Sequence, residues 1–167
     1  NARFVEQQGV GVVARRWQGM ADAALELCRD RERLDGLRRK LEGLIKLGEK
    51  YRVLPCVHCH SGRYLTANGQ MLYLVLKDLK PAEAGAYVDP MHMTMEGSLA
   101  GWELGLDLVA PWIALVGIKN FRWVAADRDG AGQQRYRWEY TPIADGQAPL
   151  PEFMAYLKRM AYDGIEV

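Results

Sequence analysis

The sequence predicts an α/β fold in which parallel strands alternate with helices, and two architectures satisfy that order: an open doubly wound sheet and a (β/α)8 barrel. Three observations carry this reading. Short apolar or β-branched runs alternate with longer segments of helical periodicity. No G-x-G-x-x-G or P-loop follows the first run, so the usual nucleotide-binding signature of the open sheet is missing. Each run also ends in polar side chains, namely Arg15 and Arg16, His58 and His60, Asp89 and His92, and Lys119 and Asn120. Polar ends on successive parallel strands point to one shared site at the carboxyl face.

Taken in order, "GVGVVAR" (9–15) is a β-branched run that stops at a charged pair, as a buried strand does on reaching the surface. From Asp30 to Lys50, Leu34, Leu37, Leu41, Leu44 and Ile45 recur at helical spacing among basic and acidic residues, and Gly48 suits termination. "RVLPCVHCH" (52–60) reads as a second strand and "NGQMLYLVLKDL" (68–79) as a helix. "GAYVDP" (85–90) is a third strand stopped by Pro90, followed by a helix over 99–113 interrupted at Pro111, and "ALVGIKNF" (114–121) is a fourth strand. The Gly- and Asp-rich stretch "AADRDGAGQQR" is too polar for core and reads as a mobile loop. A helix over 150–164, with Pro151 at its start and Gly164 at its end, leads into "IEV".

Composition narrows the function classes. Hydrophobic residues at 49% against 26% charged make an ordinary globular balance for 167 residues. Twenty-two basic and 21 acidic residues are interspersed, for a net charge of +1, so no strong field draws in nucleic acid or an acidic membrane. No apolar run reaches the roughly 18–20 residues of a membrane span. Three cysteines, Cys28, Cys56 and Cys59, are few and odd in number, which leads to the expectation of reduced thiols in a cytoplasmic protein.

Alternation along "PCVHCH" puts Cys56, His58 and His60 on one face and Val57 and Cys59 on the other. With Asp89 at the end of the next strand, two imidazoles and a carboxylate are available to a divalent metal. The alternative is a barrel-lining His58 with a hydrogen-bonded neighbour and a loop His60. A closed structural zinc site does not follow, because neighbouring strand residues do not converge on one centre. Glu96 suits either a proton carrier or a helix start where a carboxylate favours the dipole. Lys119 could steady an anionic intermediate or form a salt bridge within the barrel. Arg15 and Arg16 could grip a phosphate, although one of an adjacent pair must point away. Of the tryptophans, Trp17, Trp123 and Trp138 could wall a sugar, the last two flanking the polar stretch as a lid would, whereas Trp102 lies in a helix stripe and reads as core.

"YVDPMHMTMEGSLAGWELGLDLVAPWIALVGIKNFRW" resembles the xylose isomerase-like barrel family of sugar phosphate isomerases and epimerases, with its D-x-G-H strand end, V-E-G turn, L-x-P helix and V-K-D strand. "VHCHSGRY" and "YRWEYTPIADGQAPLPEFMAYLKRMAYDG" extend the likeness in the same order. The resemblance implies a (β/α)8 TIM barrel whose C-terminal five strands this chain covers, residues 1–167 forming a single domain. A whole barrel needs roughly 250 residues, and the open edges of a partial one lead to an expected homo-oligomer. It also implies metal-assisted isomerisation of a sugar or sugar phosphate through an enediol, with Mn, Mg, Co or Zn.

On this resemblance Asp89 takes the place of the metal aspartate and His92 that of a substrate-contacting histidine. His58 stands where the first glutamate is usual and Gly117 where the metal histidine is usual, while Glu166 comes too early for the second glutamate. The candidate set is therefore His58, Glu96 and Lys119 for catalysis, His92, His60, Arg15 and Trp123 for substrate, and Asp89 with His58 for metal. The departures raise a second expectation, a degenerate barrel that binds a sugar or polyol without turnover. The family also includes apurinic endonucleases, but three histidines and a near-neutral charge argue against that reading.

Overall fold

The computed structural model describes residues 31–166, so the strand expected over 9–15, with Arg15, Arg16 and Trp17, lies outside the described residues, as does Cys28. Helix α1 (Arg31–Tyr51) runs through the expected stretch. It passes Gly48 by three residues, and the turn is made instead by Arg52 in the left-handed region, φ 57. Gly48 is needed for another reason: a Cβ there would lie 2.5 Å from the Val53 carbonyl as the chain folds back.

Strand β1 (Cys56–His58), helix α2 (Gly69–Leu76) and strand β2 (Gly85–Val88) follow. Asn68 caps α2, its side chain accepting from Met71 N at 2.9 Å. Helix α3 (Pro90–Val109) begins nine residues before the expected start at 99. Asp89 is its N-cap and Pro90 its first residue, so the dipeptide that ends the strand also opens the helix. Ser98, φ 59, joins its two segments. After a single 3-10 turn at Ala110–Trp112, strand β3 (Ile113–Val116) completes the third parallel ribbon.

The expected mobile stretch after residue 124 is corrected to the connection of an antiparallel hairpin, β4 (Phe121–Ala125) with β5 (Tyr136–Tyr140). Asp129 organises its tip, accepting from Ala131 N and Gln133 N at 3.0 and 2.9 Å and pairing with Arg135 at 2.6 Å. Helix α4 (Leu150–Arg159) stops where Ala161 turns left-handed, and β6 (Ile165–Glu166) follows.

Strands β1, β2, β3 and β6 form one parallel sheet in the order β1-β2-β3-β6. Val57, Ala86, Val88 and Val116 turn one face toward Leu72, Leu76, Trp102, Leu106, Val109, Phe153 and Leu157 of the helices. Each large side chain buried there contributes about 1.5–3 kcal/mol relative to exposure. Trp102 is core, as its helix stripe predicts, 4% exposed. Helices α2 and α3 touch backbone to backbone, since a Cβ on Gly69 would stand 2.5 Å from Gly105 Cα. Among the described residues no helix is long and apolar enough to cross a membrane.

Candidate functional site

The opposite face of the sheet and its carboxyl rim gather the polar strand ends. Asp89 is fully buried. Its Oδ1 accepts from His92 N at 3.2 Å, which fixes the carboxylate at the head of α3. Its Oδ2 accepts from Lys119 Nζ at 2.8 Å and lies 3.9 Å from His58 Nε2 and 3.7 Å from His92 Nε2. Neither ring nitrogen is close enough to that oxygen for a hydrogen bond. Both are buried and without a hydrogen-bond partner.

His58, Asp89 and His92 each offer one donor atom, and the three atoms lie within 4.8 Å of one another. Donors around a divalent ion at bond lengths of about 2.1 Å stand about 3.4 Å apart, so a small inward movement would close this cup on a cation. Two buried imidazole nitrogens without partners are costly unless something binds them. The donor set therefore fits a divalent metal, with the imidazoles favouring a transition metal such as zinc over magnesium.

Around the cup sit groups that orient it. His92 Nδ1 is 2.8 Å from Ser61 Oγ, and that hydroxyl also reaches Met95 Sδ at 3.5 Å. A hydroxyl can accept or donate, so Ser61 serves either tautomer of His92, including the one that leaves Nε2 bare for a cation. His60 stacks on His92 with ring centroids 4.0 Å apart and stands edge-on to His58 at 5.4 Å. Its Nδ1 lies 2.9 Å from the Ser61 carbonyl, which can only accept, so the proton sits on Nδ1 and Nε2 carries the free lone pair. Tyr87, opposite His58 in the strand ladder, stacks on it at 4.0 Å.

Electrostatics follow from burial. The Asp89 carboxyl would be raised by burial alone, but the His58 ring, the Lys119 ammonium and His92 hold it below the ordinary range. Burial pushes His92 down to about 4, against the pull of Asp89, so its imidazole is neutral near pH 7. Lys119, which burial alone would lower, is raised by its bond to Asp89. Burial drives the Cys59 thiol up to about 12; it sits on the core side of β1 with Sγ toward the Ala67 carbonyl. It belongs to the core cluster, on the face away from the histidines, as the alternation predicts.

Other sequence candidates lie further out. Glu96 is exposed, and its Oε1 accepts from Gly62 N at 2.7 Å, tying the loop that carries His60 to α3. Trp123 is 44% exposed on the hairpin, paired across the ladder with Trp138. Phe121, Trp123, Trp138 and Tyr140 share one hairpin face, and Arg122, Arg137 and Glu139 share the other. Buried Phe121 packs on Met91 and Ala148, which plants the hairpin beside the start of α3. Asn120 anchors its base by donating to the Ile143 carbonyl and accepting from Phe121 N and Ala148 N. Sequence reasoning passed over Ser61 and Tyr87 as site-forming residues, and Asn120, expected among the polar strand ends of the site, anchors the hairpin base. Only Tyr87 carried a signal, being two positions before Asp89 and hence on its face of the strand.

A family model described as Xylose isomerase-like TIM barrel matches residues 2–167. Two solved structures are similar in fold. One is described as the probable 3-DHS dehydratase AsbF involved in petrobactin synthesis from Bacillus anthracis, at 16% identity and TM-score 0.63, with 82% of this chain aligned to 50% of that one. The other is a xylose isomerase domain protein from Planctomyces limnophilus, at 15% identity and TM-score 0.60, with 81% of this chain aligned to 45% of that one. The chain thus spans about half the length of each. No curated protein matches it.

Proposed function

The chain belongs to the xylose isomerase-like TIM barrel family, and from that premise we propose that it serves a sugar or sugar phosphate isomerase or epimerase that moves a proton at the carbon beside a carbonyl. One observation carries this reading: two buried imidazole nitrogens without partners face one fully buried carboxylate. His58, Asp89 and His92 would hold a divalent ion. When bound, it would supply Lewis acidity toward the substrate's carbonyl and hydroxyl oxygens.

The chain's own groups divide the remaining work. His60, with its Nε2 lone pair fixed outward from the Ser61 contact, removes the proton from carbon. Loss of that proton places negative charge on the neighbouring oxygen and gives an enediolate. Return of the proton to the adjacent carbon, with the hydroxyl proton passing from one oxygen to the other, isomerises the sugar, and protonation of the original carbon from the opposite face epimerises it. Lys119, 35% exposed on a flexible stem, steadies the developing anion once a cation takes its place at Asp89. Glu96 positions His60 through the Gly62 contact rather than carrying protons itself. The aromatic hairpin face with Trp123 offers a surface to the sugar's C–H groups. Dehydration of a β-hydroxy carbonyl compound starts with the same proton removal, which is in keeping with a neighbour described as a probable dehydratase.

A second reading, a sugar or polyol binder without turnover, draws on the Lys119–Asp89 pair, which already neutralises the carboxylate. Titration with Mn2+ and deuterium wash-in from heavy water into a panel of ketoses and their phosphates separate the two. Enzyme function requires about one ion per chain and wash-in that disappears in His60→Ala. Sugar binding that persists in chelator with no wash-in would establish the passive binder instead.

A further inference from the structure

Resting on the isomerase reading, we propose that Tyr87 is a further binding residue of this site, its hydroxyl hydrogen-bonding an oxygen of the bound small molecule beside the metal cup. The strand register sets Tyr87 against His58 on one side and Leu115 on the other. Its ring lies nearly parallel to His58, 13° between planes, and its hydroxyl end reaches the residue that follows β3. There the chain has Gly117. A Cβ at that position would stand 2.9 Å from the Tyr87 hydroxyl and 3.2 Å from Asp89 Oδ2. The phenol and the buried carboxylate therefore meet at Gly117, where only a residue without a side chain leaves room for both.

The hydroxyl has no hydrogen-bond partner among the described residues. Packing alone does not call for the hydroxyl, since a phenylalanine would stack on His58 equally well. A neutral O–H donor at this place suits an oxygen that gains negative charge, such as that of an enediolate, and adds no charge to the three donors of the cup.

The probe is oxalate, a planar dianion with the oxygen arrangement of an enediolate, titrated calorimetrically into the Mn2+-loaded chain. Tyr87→Phe keeps the ring and is expected to bind Mn2+ within about twofold of wild type while binding oxalate about tenfold more weakly. Equal oxalate affinity in the two proteins would overturn the role of Tyr87 and leave the isomerase reading standing. A wild-type chain that takes up neither Mn2+ nor oxalate would overturn both.

Discussion

Lys119 Nζ lies 2.8 Å from Asp89 Oδ2, so the ammonium sits where it balances the same oxygen that faces both orphaned imidazole nitrogens. On the proposed metal reading, a divalent ion would compete with this lysine for one carboxylate.

Lys119→Met tests this competition. The uncompensated carboxylate should cost about 2 kcal/mol in urea denaturation with chelator present, less than a fully buried pair because the lysine is partly exposed. Saturating Mn2+ should recover most of that loss, and Mn2+ affinity should rise in the variant. A variant equally unstable with and without Mn2+ would refute the competition.

Asp89 has two separable jobs, and substitutions can part them. Asp89→Asn retains an oxygen for the His92 amide, so its thermal midpoint should stay within a few degrees of wild type. Its Mn2+ binding should fall at least about 100-fold with the loss of the charged donor. Asp89→Ala should lose both, adding about 1 kcal/mol for the missing cap. Calorimetric titration and thermal melts read the two effects independently.

The depressed pKa of His92 has a signed consequence for metal-free protein. Its imidazole titrates near 6.5 when unfolded and near 4 when folded, so between those values the unfolded chain binds more protons. Stability contributed by the neutral ring is complete above about pH 6.5 and is lost as pH falls toward 4, on the order of 3 kcal/mol in all. Urea midpoints measured from pH 7 to pH 4 in chelator should show this slope, and His92→Gln should flatten it. An unchanged slope in the variant would assign the effect to other groups.

Backbone contact between α2 and α3 leaves no space for a methyl group. Gly69→Ala would place a Cβ 2.5 Å from Gly105 Cα, and the helices must separate to admit it. Overpacking of this kind costs about 1–3 kcal/mol. Gly43→Ala, where nothing lies within 4 Å, should be neutral or stabilising by comparison. Equal denaturation midpoints for the two variants would show that the helices can part freely.

Much of the site was legible because strand alternation is a local rule. It placed His58 and Cys59 on opposite faces and brought Asp89 to the neighbouring strand end. His92 was read from the resemblance as a substrate contact, yet its Nε2 stands in the cup with Asp89 and His58, because α3 starts at Pro90 and turns the ring inward. That early start was hidden by Pro90, which reads as a strand stop and serves as a first helical residue. Ser61 carries no sequence signal at all, since its partner His92 is 31 residues away. The hairpin was partly visible in "FRWVA" and "YRWEY", whose aromatic alternation fixes the Trp123–Trp138 pairing. The polar connection between them masked it.

The bond from Gly62 N to Glu96 Oε1 joins the loop bearing His60 and Ser61 to the helix that begins at Asp89. Together with the Ser61–His92 contact, it fastens that loop at two points one helical turn apart. The imidazoles of His60 and His92 should therefore tumble as one body, with matching relaxation rates in nuclear magnetic resonance, and cutting the Glu96 fastening should let His60 relax faster while His92 keeps its pace.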